Sequence, residues 1–404
     1  MRRVGYKKGI HIGLSLYSLG AIFFWPSAKF EKYGGFVGST FIIGCGLSTL
    51  EVAANSYISV LGTPRYAAAR LNFSQGFQGV ASFSGPLIAA RWFFTGRNVN
   101  SLGTVQWVYL AVAGLGVVLN VLFLYVVSVF RHSHLIMFFS FATLPEITED
   151  ALEEEMQDVG LQEDQGSFWK QYRCIFGFVA QTAYVGAQVG VAAFAVNFFV
   201  DQGVGISQSK ASDLFSFCQI TFTIGRFVGV VILNFVDPAL LLAIYGFCCT
   251  LFCLLVSQLP RYGGIGCMFG LFFFESICYP CIFTLGTKNL GKYTKRGSGL
   301  IVMGVGGGAW YPSAQGALAD LTYTRRSYLV PMSGYIAMML YAIGLVIDQA
   351  RKSGFTIRNR DELSEKRAAL GNRVQAADDI VTPDTPKESR SHTLLEEVLE
   401  RLPR

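Results

Sequence analysis

The strongest constraint on this chain is a recurrence of apolar blocks, each about 20 to 27 residues long, separated by short polar joints. GIHIGLSLYSLGAIFF and LLLAIYGFCCTLFCLLV are examples. A helix of about 20 apolar residues crosses the roughly 30 Å hydrocarbon core and satisfies its backbone hydrogen bonds internally. None of the blocks has the period-two alternation of a membrane barrel. The fold class that follows is an all-α polytopic membrane protein in contact with the lipid bilayer. Ten candidate spans fall at roughly 10–28, 34–61, 70–94, 106–130, 173–199, 212–235, 238–258, 263–287, 297–319 and 328–348.

Charge supports this reading. Only 15% of the 404 residues are charged, against about 25% in soluble domains. The charges crowd into the joints, an acidic stretch at 146–164 and a tail after 350. The net charge of +6 therefore points to span ends and not to nucleic acid. The nine cysteines and four histidines show no metal-ligand spacing, so neither a metal nor another cofactor is expected. The basic start MRRVGYKK precedes an apolar stretch too long for a signal peptide, and no A-x-A-type cleavage site follows. It reads as a true span.

Orientation follows from the Lys and Arg residues. Arg2, Arg3, Lys7 and Lys8, then Arg65 and Arg70, then Lys288, Lys292, Lys295 and Arg296, and finally Arg351 and Lys352 fall on one side of a simple zigzag. That side is read as cytoplasmic, with Arg325 and Arg326 a local exception on the other. The expected organisation is an N-terminal bundle over 1–131 and an acidic cytoplasmic linker over 132–171. A C-terminal bundle over 172–349 and a largely disordered cytoplasmic tail over 350–404 follow. LLEEVLERL in the tail is a possible terminal helix. A monomer in the plasma membrane is expected.

The halves repeat each other. Glu51 and Glu275 each precede the Thr of an LGT by twelve residues. A basic turn follows in both, then Arg70 precedes Pro86 by sixteen residues and Arg296 precedes Pro312 by sixteen. Matching landmarks on spans of like direction are the parallel repeat of a transporter, whose substrate site lies near the midplane between halves. The first half holds four spans and the second six. The expectation is a twelve-helix plan whose first two helices are not represented.

Glu51 lies about ten residues from the end of its span, about 15 Å deep at 1.5 Å per residue. An unpaired charge there costs at least about 2.5–3.5 kcal/mol. Glu51 must face a cavity, be paired or hold a proton. Two readings stand: a proton-coupling group, or a neutral acid bonded between helices. Glu275 is a second intramembrane carboxyl, read either as another proton site or as the partner of a cation such as Arg226. Asn55 lies four residues after Glu51, on the same helical face. Asn72, Gln75 and Gln78 recur every three residues, and Gln181, Tyr184 and Gln188 form another stripe. Such groups donate and accept without net charge, which suits a neutral polyhydroxylated solute, or they bridge helices. Phe77, Phe194, Phe198 and Tyr279 are candidates to cover a sugar ring. Arg226 in TIGRFVGV reads as a gating residue, and His11 as structural. Gly306, Gly307 and Gly308 in VMGVGGGAWYP are not a phosphate loop, lacking the Lys-Ser/Thr that would follow, and read as a gate or hinge surface. No nucleophile, base and orienter set marks an enzyme.

The runs YKKGIHIGLSLYSLGAIFFWPSA, LEVAANSYISVLG, RLNFSQGF, YVGAQ, IGRF, YPCIFTLGTKNLG and IVMGVGGG, collinear from about residue 4 to 348, resemble the fucose-permease branch of the major facilitator superfamily and its fungal members. The resemblance implies two six-helix bundles, alternating access and coupling of a sugar, fucose or another hexose, to protons. It implies a proton-coupling role for Glu51, and sugar contacts for the RLNxxQ residues Asn72 and Gln75 and for Tyr184 and Gln188 of YVGAQ. The family's first-helix aspartate has no counterpart here. Asn197 stands where the family has a bulkier cationic residue. A transport-inactive sensor and an exporter of another small neutral solute are the competing expectations.

Overall fold

The computed structural model describes residues 5–61, 63–88, 102–130 and 167–358. Helices α1 (Gly5–Lys29), α2 (Tyr33–Val60), α3 (Ala67–Ile88) and α4 (Leu102–Phe130) make up the first half. The second half holds α5 (Tyr172–Val200), α6 (Gln208–Leu233), α7 (Pro238–Gln258), α8 (Arg261–Glu275), α9 (Cys278–Thr287), α10 (Thr294–Met303), α11 (Tyr311–Leu321) and α12 (Leu329–Ser353). The expected spans are present, with two corrections. The span 263–287 is interrupted between α8 and α9, where Pro280 has no N–H to give the Ser276 carbonyl four residues back. The span 297–319 is interrupted by a 3-10 stretch, Gly304–Ala309, ahead of Pro312. Most of the acidic linker, the end of the third span after residue 88 and the tail from residue 359 lie outside the described residues.

Among the described residues, seven helices are long and apolar enough to cross a membrane: Lys8–Lys29, Tyr33–Val60, Tyr172–Val200, Gln208–Leu233, Pro238–Gln258, Arg261–Thr287 and Arg326–Lys352. The span carried by α4 has a shorter apolar core, Tyr109–Leu122. Leu115, Val118, Val121 and Leu122 of α4, Ile224, Val228 and Val231 of α6 and Phe247, Leu251 and Leu254 of α7 are exposed. Apolar faces of that size turned outward are what lipid contact requires.

The repeat is visible in the backbone. One helix ends just before its LGT, at Val60, and the other on its LGT, at Thr287; a 3-10 turn follows in each (Pro64–Tyr66 or Gly291–Tyr293), and a new helix starts at Ala67 or Thr294. In the first copy Arg70 donates to the carbonyls of Ile58, Ser59 and Thr63, which holds the end of α2 closed. In the second, Arg296 instead lies over the Phe168 ring, 4.4 Å from its centroid.

Within the first half α1 packs on α2 and α4. His11 bonds Asn120 across that bundle at 2.7 Å, the structural role expected of it. In the second half α5 is central and touches α9, α10, α11 and α12. The halves meet where α3 packs on α6 and α9, and where α2 packs on α10. An apolar cluster closes that junction: Leu71, Phe168, Cys174, Phe283, Leu290, Ile301 and Val302, with Val52 and Ile58 against it. It lies at the end bearing the α2–α3 and α9–α10 turns. Along the α3–α6 seam, Gly76 faces the Phe227 ring and Gly79 faces Thr223. Past Gly79, Val80 on α3 and Phe217 on α6 are exposed. The halves are sealed at the end that bears those turns.

Candidate functional site

The candidate site crosses the boundary between halves. Glu51, partly exposed on α2, accepts a hydrogen bond of 2.5 Å from the Tyr279 hydroxyl on α9. Asn55, one turn further along α2, donates to the same hydroxyl at 3.4 Å. The break before α9 brings Tyr279 to its first turn, opposite α2. Tyr279 therefore joins the halves, donating to a carboxyl oxygen and accepting from an amide.

A second polar layer lies on the α3–α6 seam. The Arg226 guanidinium donates through Nη1 to Gln75 Oε1 at 2.6 Å. It lies over the Phe222 ring, 4.7 Å from the centroid. Asn72 donates to the Arg226 backbone carbonyl at 2.7 Å. Gly229 makes room for this: a Cβ there would sit 3.0 Å from Asn72 Nδ2. Arg226 is 5% exposed, and its partner is a neutral amide of the other half.

Glu275 belongs to neither layer. At 1% exposure it is buried inside the second half. Its Oε2 accepts from the Tyr335 hydroxyl at 2.7 Å, and its backbone carbonyl accepts from the Tyr184 hydroxyl at 2.7 Å.

The stripes read from the sequence divide. Asn72 and Gln75 turn into the seam, but Gln78 is exposed. Gln181 is fully buried against Gly304, and neither of its amide atoms has a hydrogen-bond partner. Gln188 is half-buried on α5, and Asn197 is exposed near the far end of that helix. Phe198 packs in the core against Phe199 and Tyr328, so it offers no ring face to a cavity. Of the glycines, Gly307 is the tight one: a Cβ would lie 1.9 Å from the Thr182 carbonyl oxygen. Gly308 faces Val189, and Gly306 faces open space. Gly307 and Gly308 line a close approach to α5 at a kink in the span, and Gly306 does not.

Sequence reasoning did not single out Tyr335 or Gln315. Tyr335 is one of many tyrosines on apolar faces, and nothing in MSGYIAMML marks it as the partner of a carboxyl. Gln315 is fully buried where α11 meets Gly190 of α5, with both amide atoms unpartnered. An isolated amide in an apolar run is its only signal. Among the described residues, no group of three or more His, Cys, Asp or Glu side chains is arranged to hold a metal ion. The arrangement is suited to moving a proton between a carboxyl and its surroundings, and to hydrogen-bonding an uncharged polar solute.

Comparison with known proteins gives the same picture. The glucose/galactose transporter of Brucella abortus biovar 1 is 29% identical over 348 residues, covering 85% of this chain and 79% of the relative. The L-fucose-proton symporter of Escherichia coli strain K12 is 28% identical over 368 residues, covering 88% of this chain and 81% of the relative. The crystal structure of the E. coli fucose:proton symporter FucP superposes with a TM-score of 0.69 at 28% identity, covering 85% of both chains. Residues 1–312 match the Major Facilitator Superfamily model, and the chain belongs to that superfamily.

Proposed function

We propose that this chain is a secondary transporter that moves a sugar by proton symport with alternating access. The observation that carries the reading is the Glu51–Tyr279 bond. A carboxyl from one half and a hydroxyl from the other meet at 2.5 Å, with Asn55 on the same hydroxyl. Loss or gain of a proton at Glu51 changes the strength of a bond that holds the halves together, which links proton binding to conformation. Glu51 is also partly exposed, so solvent and proton have access. Two relatives with sugar transporter names support the substrate class.

The sealed end carries Arg65, Arg70, Lys288, Lys295 and Arg296. By the excess of basic residues that end is cytoplasmic, and the conformation described is outward-facing. The linker over 132–171 and the tail over 350–404 then lie in the cytoplasm, with the bundles 1–131 and 172–349 as the moving halves of a monomer in the plasma membrane. Glu51, Asn55, Gln75, Gln78, Gln188 and Tyr279 form the sugar and proton site. The sugar is fucose or another hexose.

Uptake into proteoliposomes tests this. Labelled fucose, glucose and galactose are offered with an inward proton gradient. The wild type should accumulate one of them. Glu51→Gln should lose gradient-driven accumulation and keep exchange of sugar for sugar. Equal accumulation by Glu51→Gln removes the coupling role, and no transport of any sugar tested removes the substrate class.

A further inference from the structure

We propose that Glu275 is the second partner of Arg226, the carboxylate that takes over the guanidinium when the halves separate at the sealed end. The inference rests on the alternating-access reading above. In the present conformation Arg226 is buried and bonded across the boundary to Gln75, and its Nε is buried with no hydrogen-bond partner. When α3 leaves α6, Nη1 loses that acceptor too. Separation leaves the guanidinium without its acceptor inside a membrane span, where an unpaired charge is costly, so the separated state gains from a replacement.

The second half contains one within reach. Helix α6 is pressed against the α8–α9 break. A Cβ on Gly225 would lie 2.6 Å from Ser276 Oγ, and one on Gly229 would lie 2.1 Å from the Ile277 side chain. Arg226 stands between these glycines, and Glu275 stands beside Ser276. Arg226 and Glu275 form no ion pair in this conformation: Arg226 Nη1 is on Gln75 and Glu275 Oε2 is on Tyr335. Among the described residues, the hydroxyls of Tyr335 from α12 and Tyr184 from α5 bond Glu275 directly, one at its carboxyl and one at its backbone carbonyl. Glu275 ends a helix at a tight turn, where Ser276 Oγ donates to the Phe273 carbonyl at 2.7 Å. Its carboxylate reorients there without unwinding a full span.

The test uses the full chain, depleted of native cysteines, in lipid nanodiscs. Spin labels go at Thr63→Cys and Thr287→Cys, the two LGT threonines, one in each half. Pulsed dipolar spectroscopy reads the short and long distances with and without a transported sugar. Glu275→Gln should reduce the long-distance population about tenfold or more, because the separated state loses its counter-ion. Arg226→Met also removes the closing bond to Gln75, so the comparison is made within that background: Arg226→Met/Glu275→Gln should match Arg226→Met alone and exceed Glu275→Gln, since no charge then needs a partner. This match separates pairing from a loss of packing, which the double variant would not repair. Equal long-distance populations in wild type and Glu275→Gln overturn the proposal. So does a double variant that falls below Arg226→Met alone or is no better than Glu275→Gln. If the wild type shows a single distance under all conditions, the alternating-access reading itself fails instead.

Discussion

Replacing Tyr279 with Phe removes one oxygen and tests the cross-half site directly. That oxygen donates to Glu51 at 2.5 Å and accepts from Asn55 at 3.4 Å. A hydrogen bond to a charged group contributes about 1.5–3 kcal/mol. Glu51 is partly exposed, so water replaces some of the loss and the lower figure, about 1.5 kcal/mol, applies. The Asn55 contact is long and adds little. The bond joins the halves and is broken when they separate, so its loss favours separation by roughly tenfold, at about 1.4 kcal/mol per decade. Leu71 is fully buried in the apolar cluster that seals the junction. In a cysteine-depleted chain, the alkylation rate of Leu71→Cys by a permeant maleimide reports how often that seal opens. Tyr279→Phe should raise the rate about tenfold. The control is Tyr341→Phe, whose hydroxyl bonds the Arg173 carbonyl at 3.2 Å within one half. It should lower thermal stability and leave the alkylation rate within about twofold. If Tyr279→Phe also leaves the rate within about twofold, Glu51–Tyr279 is not a tie between conformations and the proton argument loses its mechanism.

Two further outcomes are expected. Gly307→Ala places a Cβ 1.9 Å from the Thr182 carbonyl oxygen, so α5 and the 3-10 stretch must move apart, whereas Gly306→Ala meets nothing within 4 Å. The first should lower stability by about 1–3 kcal/mol, read as a drop in melting temperature in detergent, and the second should not. Asp237 caps α7 through bonds from Ala239 and Leu240 at 2.9 and 3.3 Å. It also accepts from Gln349 at 3.0 Å, and its N–H donates to the Ile357 carbonyl at 2.9 Å. Asp237→Ala should cost about 1 kcal/mol at the cap and raise hydrogen exchange over residues 354–358, with Asp237→Asn retaining most of both.

The fold was legible because lipid imposes a simple demand. Every span must hide its backbone, so apolar length alone locates α1, α2, α5, α6, α7 and α12 to within a few residues. The two broken spans were hidden by the same rule, since apolar composition runs straight through Pro280 and through the glycines before Pro312. Glu51 was legible as an outlier in such a run. Its partner was not. Tyr279 reads in sequence as a ring to cover a sugar, and only the turn before α9 aims its hydroxyl at α2. The stripe Asn72, Gln75, Gln78 shows how spacing misleads. At about 100° per residue, each step of three falls about 60° short of a full turn. Gln78 has therefore rotated about 120° from Asn72, and it leaves the seam that the other two occupy.

The chemistry at the junction differs from the chemistry within a half. Among the described residues, the ion pairs Arg173–Asp348 and Lys352–Asp348, at 2.7 and 3.4 Å, lie inside the second half. The hydrogen bonds described here across the boundary are of another kind: a phenol on a carboxyl, an amide on that phenol, a guanidinium on an amide and an amide on a backbone carbonyl. Each contributes about 0.5–3 kcal/mol, and none pairs two opposite full charges. A buried ion pair is costly to break once formed, which suits an interface that stays closed. A junction that opens in every cycle needs the reverse, bonds that fix the register and are surrendered one at a time. Arg226 is the exception in charge and follows the rule in partner, because the group it holds across the boundary is neutral. On the proposal above, its carboxylate partner is Glu275 in its own half, where pairing favours separation of the halves and not their closure.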